Sequence, residues 1–207
     1  MKYLVHSPWW LRMWFPQLLW SKERTSPVVY LTFDDGPHPE ITPWVMEQLA
    51  SYDFKASFFL IGNNAQKYPA VVDQLKQAGH LIGNHTFNHV NGWKTDLSTY
   101  LEEVRRGRTY TGAHFFRPPY GRIGRQQAKA VIQEGYEVVM WDVVTGDFDR
   151  NISAQRCFKN VIRYTRAGSI VVFHDSEKAW PHLKEVLPQT LKWLSAQGLC
   201  SERLDFQ

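Results

Sequence analysis

From Val28 onward the chain alternates short apolar runs with longer amphipathic segments, and this alternation narrows the fold to parallel strands joined by crossover helices. Strands are predicted at 28–33, 56–61, 80–83, 114–116, 137–141 and 169–173. Helices are predicted between them at about 42–52, 66–78, 97–112, 124–134, 153–166 and 181–197. Gly79, Gly135 and Gly198 stand where three of these helices would stop in left-handed caps. Both faces of each strand are apolar, so helices must cover the sheet on both sides. A run of such units suits a closed or nearly closed barrel, with a doubly wound sheet as the alternative. At 207 residues and 43% hydrophobic content the chain can close one sizeable core, which predicts a single domain.

The charge balance excludes some partners. The formal net charge is +4, with 24 basic and 20 acidic residues interspersed, which weakly favours an anionic or neutral partner. No basic run with interleaved aromatics is present, so a nucleic-acid groove is set aside. Cys157 and Cys200 lack a second cysteine at ligand spacing and are expected to be free thiols. No stretch approaches the ~20 apolar residues of a membrane span, and no protein partner is implied.

Residues 1–27 form a distinct aromatic-rich segment, with Trp9, Trp10, Trp14, Phe15 and Trp20 crowded around Pro8 and Pro16. Arg12 and Pro16 interrupt its apolar part and no small-residue cleavage site follows, so it makes a poor signal peptide. A cytoplasmic location is the default expectation. Ser7 and Pro8 suggest an N-cap and a first-turn proline for a short helix from Trp9 to about Phe15, with a second turn from Pro16. The segment is expected to pack on the domain formed by residues 28–207. Contact of residues 8–20 with a membrane surface, where Trp is favoured, is the alternative.

The polar residues that follow strand ends are unusual. Thr32-Phe33-Asp34-Asp35-Gly36-Pro37 puts two carboxylates where a strand meets a turn; adjacent side chains on extended backbone diverge, so one can ligate while the other acts as a base. An Asx-type turn explains this six-residue segment equally well. His85 and His89, four apart, would share one face of a helical turn and could reach one ion together with Asp35, or could simply cap a turn. Arg117-Pro118-Pro119-Tyr120-Gly121 is a stiff loop that could meet a carboxylate and aim a backbone N–H at an oxyanion, or be a structural turn. His174 ends the apolar run 170–173 and would point into the same mouth.

Taken in order, Thr-Phe-Asp-Asp-Gly, His-Thr-x-x-His, Arg-x-Pro-Tyr-Gly and Val-x-His-Asp resemble the motifs of the polysaccharide deacetylases, the carbohydrate esterase family 4 or NodB-homology proteins, over about residues 28–197. That resemblance implies a distorted (β/α) barrel of about seven parallel strands. It implies one divalent metal, commonly zinc, with cobalt or nickel as alternatives, and removal of acetyl groups from an N-acetylated carbohydrate such as a chitin oligosaccharide or peptidoglycan. An O-acetyl xylan esterase, a cyclic-amidase relative acting on a small ureide and a binding relative with weakened catalysis are the other readings it leaves open. By the same resemblance Asp34 is the general base, Asp35, His85 and His89 the metal ligands, and His174 the general acid. Arg117 would hold Asp34, and Tyr120 would give the oxyanion donor. One motif departs from the family: in Trp141-Asp142-Val143-Val144-Thr145-Gly146-Asp147-Phe148, Val144 stands where a first Asp is usual and Phe148 replaces a Trp. Either Asp147 orients the acid instead, or His174 is loosely held. Phe148 still offers an apolar wall to an acetyl methyl. Trp93 and Trp180 could stack on a sugar ring or merely anchor their loops.

Overall fold

The computed structural model describes residues 3–205; residues 1–2 and 206–207, at the outer ends of the two expected segments, lie outside the described residues. In chain order the elements are α1 (Trp9–Trp14), β1 (Val28–Asp34), α2 (Ile41–Ala50), β2 (Ser57–Leu60), α3 (Gly62–Lys67), α4 (Pro69–Gln77), β3 (Leu81–Asn84), α5 (Leu97–Thr111), β4 (Phe115–Phe116), α6 (Arg125–Gln133), β5 (Glu137–Val138), β6 (Val143–Val144), α7 (Ala154–Tyr164), β7 (Ile170–His174), α8 (Trp180–Ala196) and β8 (Cys200–Ser201).

Seven parallel strands run in the order β5-β4-β3-β2-β1-β7-β6 and curl into a half-barrel, with the short β8 paired to the start of β1. β1 lies in the interior of the sheet and is buried at every position: its apolar residues suit burial on both faces, and the polar Thr32 and Asp34 are paired with Arg117. On the outer, helix-covered face of the curl Phe33 stacks on Phe58 and Phe173, with ring centroids 4.9 and 5.7 Å apart. Helix boundaries follow local chemistry: the Asp96 carboxylate accepts the Thr99 N–H at 3.0 Å to start α5, and Gly112, at φ 65°, ends it. The helix expected over 66–78 begins four residues earlier and breaks at Tyr68, because Pro69 cannot donate a helical hydrogen bond but suits a first turn. β6 and β8 were not expected from the sequence; two residues are too few to show a period. Cys157 and Cys200 are free thiols.

The curl stays open between β5 and β6, and the N-terminal segment lies along both edges. Leu19 N–H donates to the Val138 carbonyl at 2.9 Å, and its own carbonyl accepts the Met140 N–H at 2.7 Å. Farther along, Ser7 N–H donates to the Asp142 carbonyl at 3.0 Å and Val144 N–H to the Val5 carbonyl at 2.8 Å. The strap thus satisfies edge groups that would otherwise face solvent. Buried Asp142 locks it: the carboxylate pairs with Arg12, accepts the Ser169 hydroxyl at 2.6 Å, and lies 3.2 Å from His6 Nε2 and 3.4 Å from Arg24. Leu18 and Trp20 are buried, whereas α1 buries no residue and leaves Trp9, Trp10, Met13 and Trp14 exposed. No helix among the described residues is long and apolar enough to cross a membrane.

Candidate active site

Parallel strands deliver their C-terminal ends to one rim, and the polar motifs gather there. Asp34 and His174 are the last residues of β1 and β7, paired in register. His85 follows β3 and Arg117 follows β4. Asp34, Asp35, His85, His89, Tyr120 and His174 line one pocket of about 310 Å³.

The local backbone departs from two sequence expectations. Asp34 and Asp35 do not diverge: Asp35 sits at φ 78°, which turns its side chain into the pocket beside Asp34. His85 and His89 do not share a helical turn, because residues 85–91 form an irregular loop with Thr86 at φ 62° and His89 at φ 57°. Tyr120 is also left-handed, at φ 61°. Each such non-glycine conformation costs on the order of 1 kcal/mol and persists only where its surroundings enforce it. Their concentration around one pocket marks a site built for geometry rather than for stability.

Asp35, His85 and His89 can each offer a ligand atom within 4.8 Å of the others. Two ligands about 2.1 Å from one ion at a tetrahedral angle sit about 3.4 Å apart. Asp35 Oδ1 lies 3.2 Å from His89 Nε2 and 3.8 Å from His85 Nε2, which fits that requirement. His85 Nδ1 lies 2.7 Å from the Arg117 carbonyl, so Nδ1 carries the proton and Nε2 presents its lone pair to the ion position. Burial is the largest influence on His85 and lowers its pKa to about 4, keeping the ring neutral as ligation demands. Burial alone would raise Asp35, but the His89 hydrogen bond and the charges of His174, His89 and His85 outweigh it and hold the carboxylate well below its ordinary range. The residues present therefore fit a divalent cation.

Two further pairs flank this trio. Arg117, fully buried, donates from Nη1 to Asp34 Oδ1 and to Thr32 Oγ1, both at 2.7 Å, and from Nη2 to the Met140 carbonyl at 2.9 Å. Its guanidinium also lies 4.1 Å from the Phe59 ring centroid. Burial lowers the arginine pKa and Asp34 opposes that shift. On the other side Asp147 reaches His174 twice: Oδ1 lies 2.8 Å from Nδ1, and Oδ2 accepts the backbone N–H at 2.8 Å. Burial disfavours the charged ring, yet Asp147, followed by Asp35 and Asp34, raises the His174 pKa to about 9. Asp147 thus holds His174 although Val144 stands at the other motif position, where it forms apolar pocket wall. Phe148 lines the pocket too, edge-on to His174 with centroids 4.9 Å apart.

Three contributors escaped the sequence reading. Asp175 is fully buried, accepts the Gly36 N–H at 3.1 Å and the Thr42 hydroxyl, and so braces the turn carrying Asp35. Burial, with added repulsion from Asp35 and Asp34, raises its pKa to about 7. Its place directly after His174 was the available signal. Tyr3 and Trp141 also line the pocket, Tyr3 with its ring 5.0 Å from Phe148; nothing around Tyr3 in sequence points there, whereas Trp141 opens the segment that departs from the family motif. Trp180 packs on Trp44 instead, with centroids 4.9 Å apart, away from this pocket.

Comparison with known proteins gives a consistent picture. The profile of the family described as polysaccharide deacetylase matches residues 21–139. A peptidoglycan-N-acetylglucosamine deacetylase of Bacillus cereus is 37% identical over 72% of this chain, which spans 56% of that relative's length. A chitooligosaccharide deacetylase of Azorhizobium caulinodans is 35% identical over 71% of this chain and 73% of its own. A solved structure of a peptidoglycan N-acetylglucosamine deacetylase in complex with 4-naphthalen-1-yl-N-oxidanyl-benzamide superposes with a TM-score of 0.85 at 31% identity, covering 93% of this chain and 94% of the other.

Proposed function

This chain belongs to the polysaccharide deacetylase family, and from that premise we propose that it is a metal-dependent hydrolase that removes acetyl groups from an N-acetylated carbohydrate. The observation that carries this reading is the convergence, in one pocket, of a carboxylate held by a buried arginine, a histidine held by a buried carboxylate, and a three-residue cation site.

A divalent ion held by Asp35, His85 and His89 would polarise the acetyl carbonyl and make a water acidic enough to attack near neutral pH. Zinc suits such a set, and cobalt or nickel would also be held. Asp34, fixed by Arg117, accepts the proton that the attacking water gives up. The Tyr120 peptide N–H, in a loop stiffened by Pro118 and Pro119, supplies a donor to the developing oxyanion; removing such a donor elsewhere costs about 3 kcal/mol of barrier. Val144 and Phe148 form apolar wall suited to the acetyl methyl. The C–N bond breaks as His174 hands its proton to the departing nitrogen, so the products are acetate and a free amino sugar. Asp147 keeps that proton in place by holding Nδ1, leaving Nε2 as the donor to substrate.

The test is acetate release from N-acetylglucosamine oligomers, peptidoglycan fragments and acetylated xylan, using chelated protein with and without added zinc and an Asp34→Asn control. Zinc-dependent release from the amino sugars, lost in the control, is expected. Release from xylan alone would make the protein an esterase, and bound metal without release from any substrate would overturn the hydrolase reading.

A further inference from the structure

The six residues of α1 are arranged inside out. Its single charged side chain, Arg12, turns inward to the buried Asp142 carboxylate, and Leu11 packs on the core around Leu18. The outer face is left to Trp9, Trp10, Met13 and Trp14, which form one stripe at positions i, i+1, i+4 and i+5. Trp9, Met13 and Trp14 are 71%, 67% and 64% exposed. A helix that faces water turns its polar residues outward, so packing within the domain does not account for this stripe. Trp93, also exposed, extends the apolar surface: with Leu4, Trp10 and Phe15 it lines a hollow of about 380 Å³. Cations border this surface on both sides. The Arg122 guanidinium lies 5.1 Å from the Trp93 ring centroid, and that of Arg125 lies 5.8 Å from the Phe15 centroid. On the other side His6 stacks on Tyr164 of α7 at 5.1 Å, and Val5 lines a separate hollow with Arg156, Lys159 and Arg163. α7 contains no acidic residue and no carboxylate lines either hollow. Among the described residues none of these cations forms an ion pair.

We propose that the N-terminal strap docks this protein on an anionic lipid bilayer, with Trp9, Met13 and Trp14 seated at the headgroup boundary and the flanking cations on the lipid phosphates. Tryptophan is favoured at that boundary, where its ring meets acyl chain and its N–H stays hydrogen-bonded. An apolar centre between cationic flanks matches the layering of such a surface, with acyl chains below and phosphates at the level of the cations. A second copy of the chain fits less well, because a two-fold contact sets the patch against itself and brings the cations of both protomers together. The patch stands near the mouth of the catalytic pocket, since Tyr120 lines that pocket as well as the hollow lined by Trp10. The docking requires nothing of the reaction in that pocket.

The experiment is cosedimentation of the full chain with vesicles of phosphatidylglycerol and of phosphatidylcholine, beside sedimentation velocity without lipid. Wild type is compared with the triple variant Trp9→Ser, Met13→Ser, Trp14→Ser and with the double variant Arg125→Gln, Arg163→Gln, which neutralises one cation on each flank. Wild type is expected to bind phosphatidylglycerol and to lose most of that binding in about 0.5 M salt. The triple variant should bind about tenfold more weakly per apolar side chain removed. The double variant should bind about fivefold more weakly per charge removed. Thermal unfolding should not move in either variant, because every substituted side chain is exposed. Wild type that ignores phosphatidylglycerol, equal binding to the two lipids, or full retention of the triple variant would each overturn the docking surface. So would a dimer without lipid that the triple variant dissolves, which would make the stripe an interface between copies.

Discussion

Replacing Asp147 by Asn keeps the shape of the group beside His174 but removes its charge. In the folded protein the two share a 2.8 Å contact, and the carboxylate is the largest influence raising the histidine pKa, against burial, to about 9. Protonated His174 is the working acid, so with a raised pKa activity is retained at neutral pH and falls as pH rises through about 9. Without the charge, burial dominates and the pKa drops to the ordinary ~6.5 or lower. At pH 8 the protonated fraction then falls from about 0.9 to about 0.03, a loss of roughly 30-fold in kcat that shrinks toward pH 6. A cation at Asp35 offsets part of the local negative field in both proteins, so the quantity to read is the displacement of the alkaline limb between them. The assay is a pH profile of kcat for acetate release from chitotetraose and for 4-nitrophenyl acetate, whose better leaving group depends less on the acid. Coincident alkaline limbs for Asp147→Asn and wild type, or equal losses on both substrates, would refute the idea that Asp147 maintains His174 as the acid.

Other perturbations have equally defined outcomes. His174→Ala should abolish amide cleavage and leave measurable aryl acetate hydrolysis, compared by kcat on the two substrates. Chelation should lower Tm, and zinc at about 100 times its Kd should restore about 2.7 kcal/mol of stability, an effect that Asp35→Ala removes in a thermal shift titration. Arg117→Met leaves Asp34 buried without its cation and should cost about 3–5 kcal/mol in urea unfolding, and activity should remain low even in the fraction that stays folded. Asp142→Ala frees Arg12 and Arg24 from their anchor; hydrogen exchange should then speed up at the amides of Leu19, Met140 and Val144 while the amides of β1 keep their protection.

Much of the fold was legible because burial on both faces forces an apolar composition that is easy to see, as in β1 and β7. The strands that escaped notice, β6 and β8, are two residues long and depend on partners distant in sequence. The strap followed the same logic. Its tryptophans were plain, but whether they pack or protrude differs residue by residue: Trp20 is buried, while Trp9 and Trp14 are exposed. That division follows from which edge of the half-barrel each stretch meets.

By itself the sequence determined which chemical groups stand at the site and in what order, because strand ends and motif spacing are local properties. Asp34, Asp35, His85, His89, Arg117 and His174 could all be named from it. Only the tertiary structure decided how these groups act together. The left-handed turn at Asp35 brings two adjacent carboxylates into one pocket, and an irregular loop rather than a helix aims His85 and His89. Most consequentially, Asp147 reaches His174 although they are 27 positions apart in sequence. Such partnerships depend on how β6 and β7 align in the sheet, a matter of long-range packing that leaves no period or spacing in the chain to read.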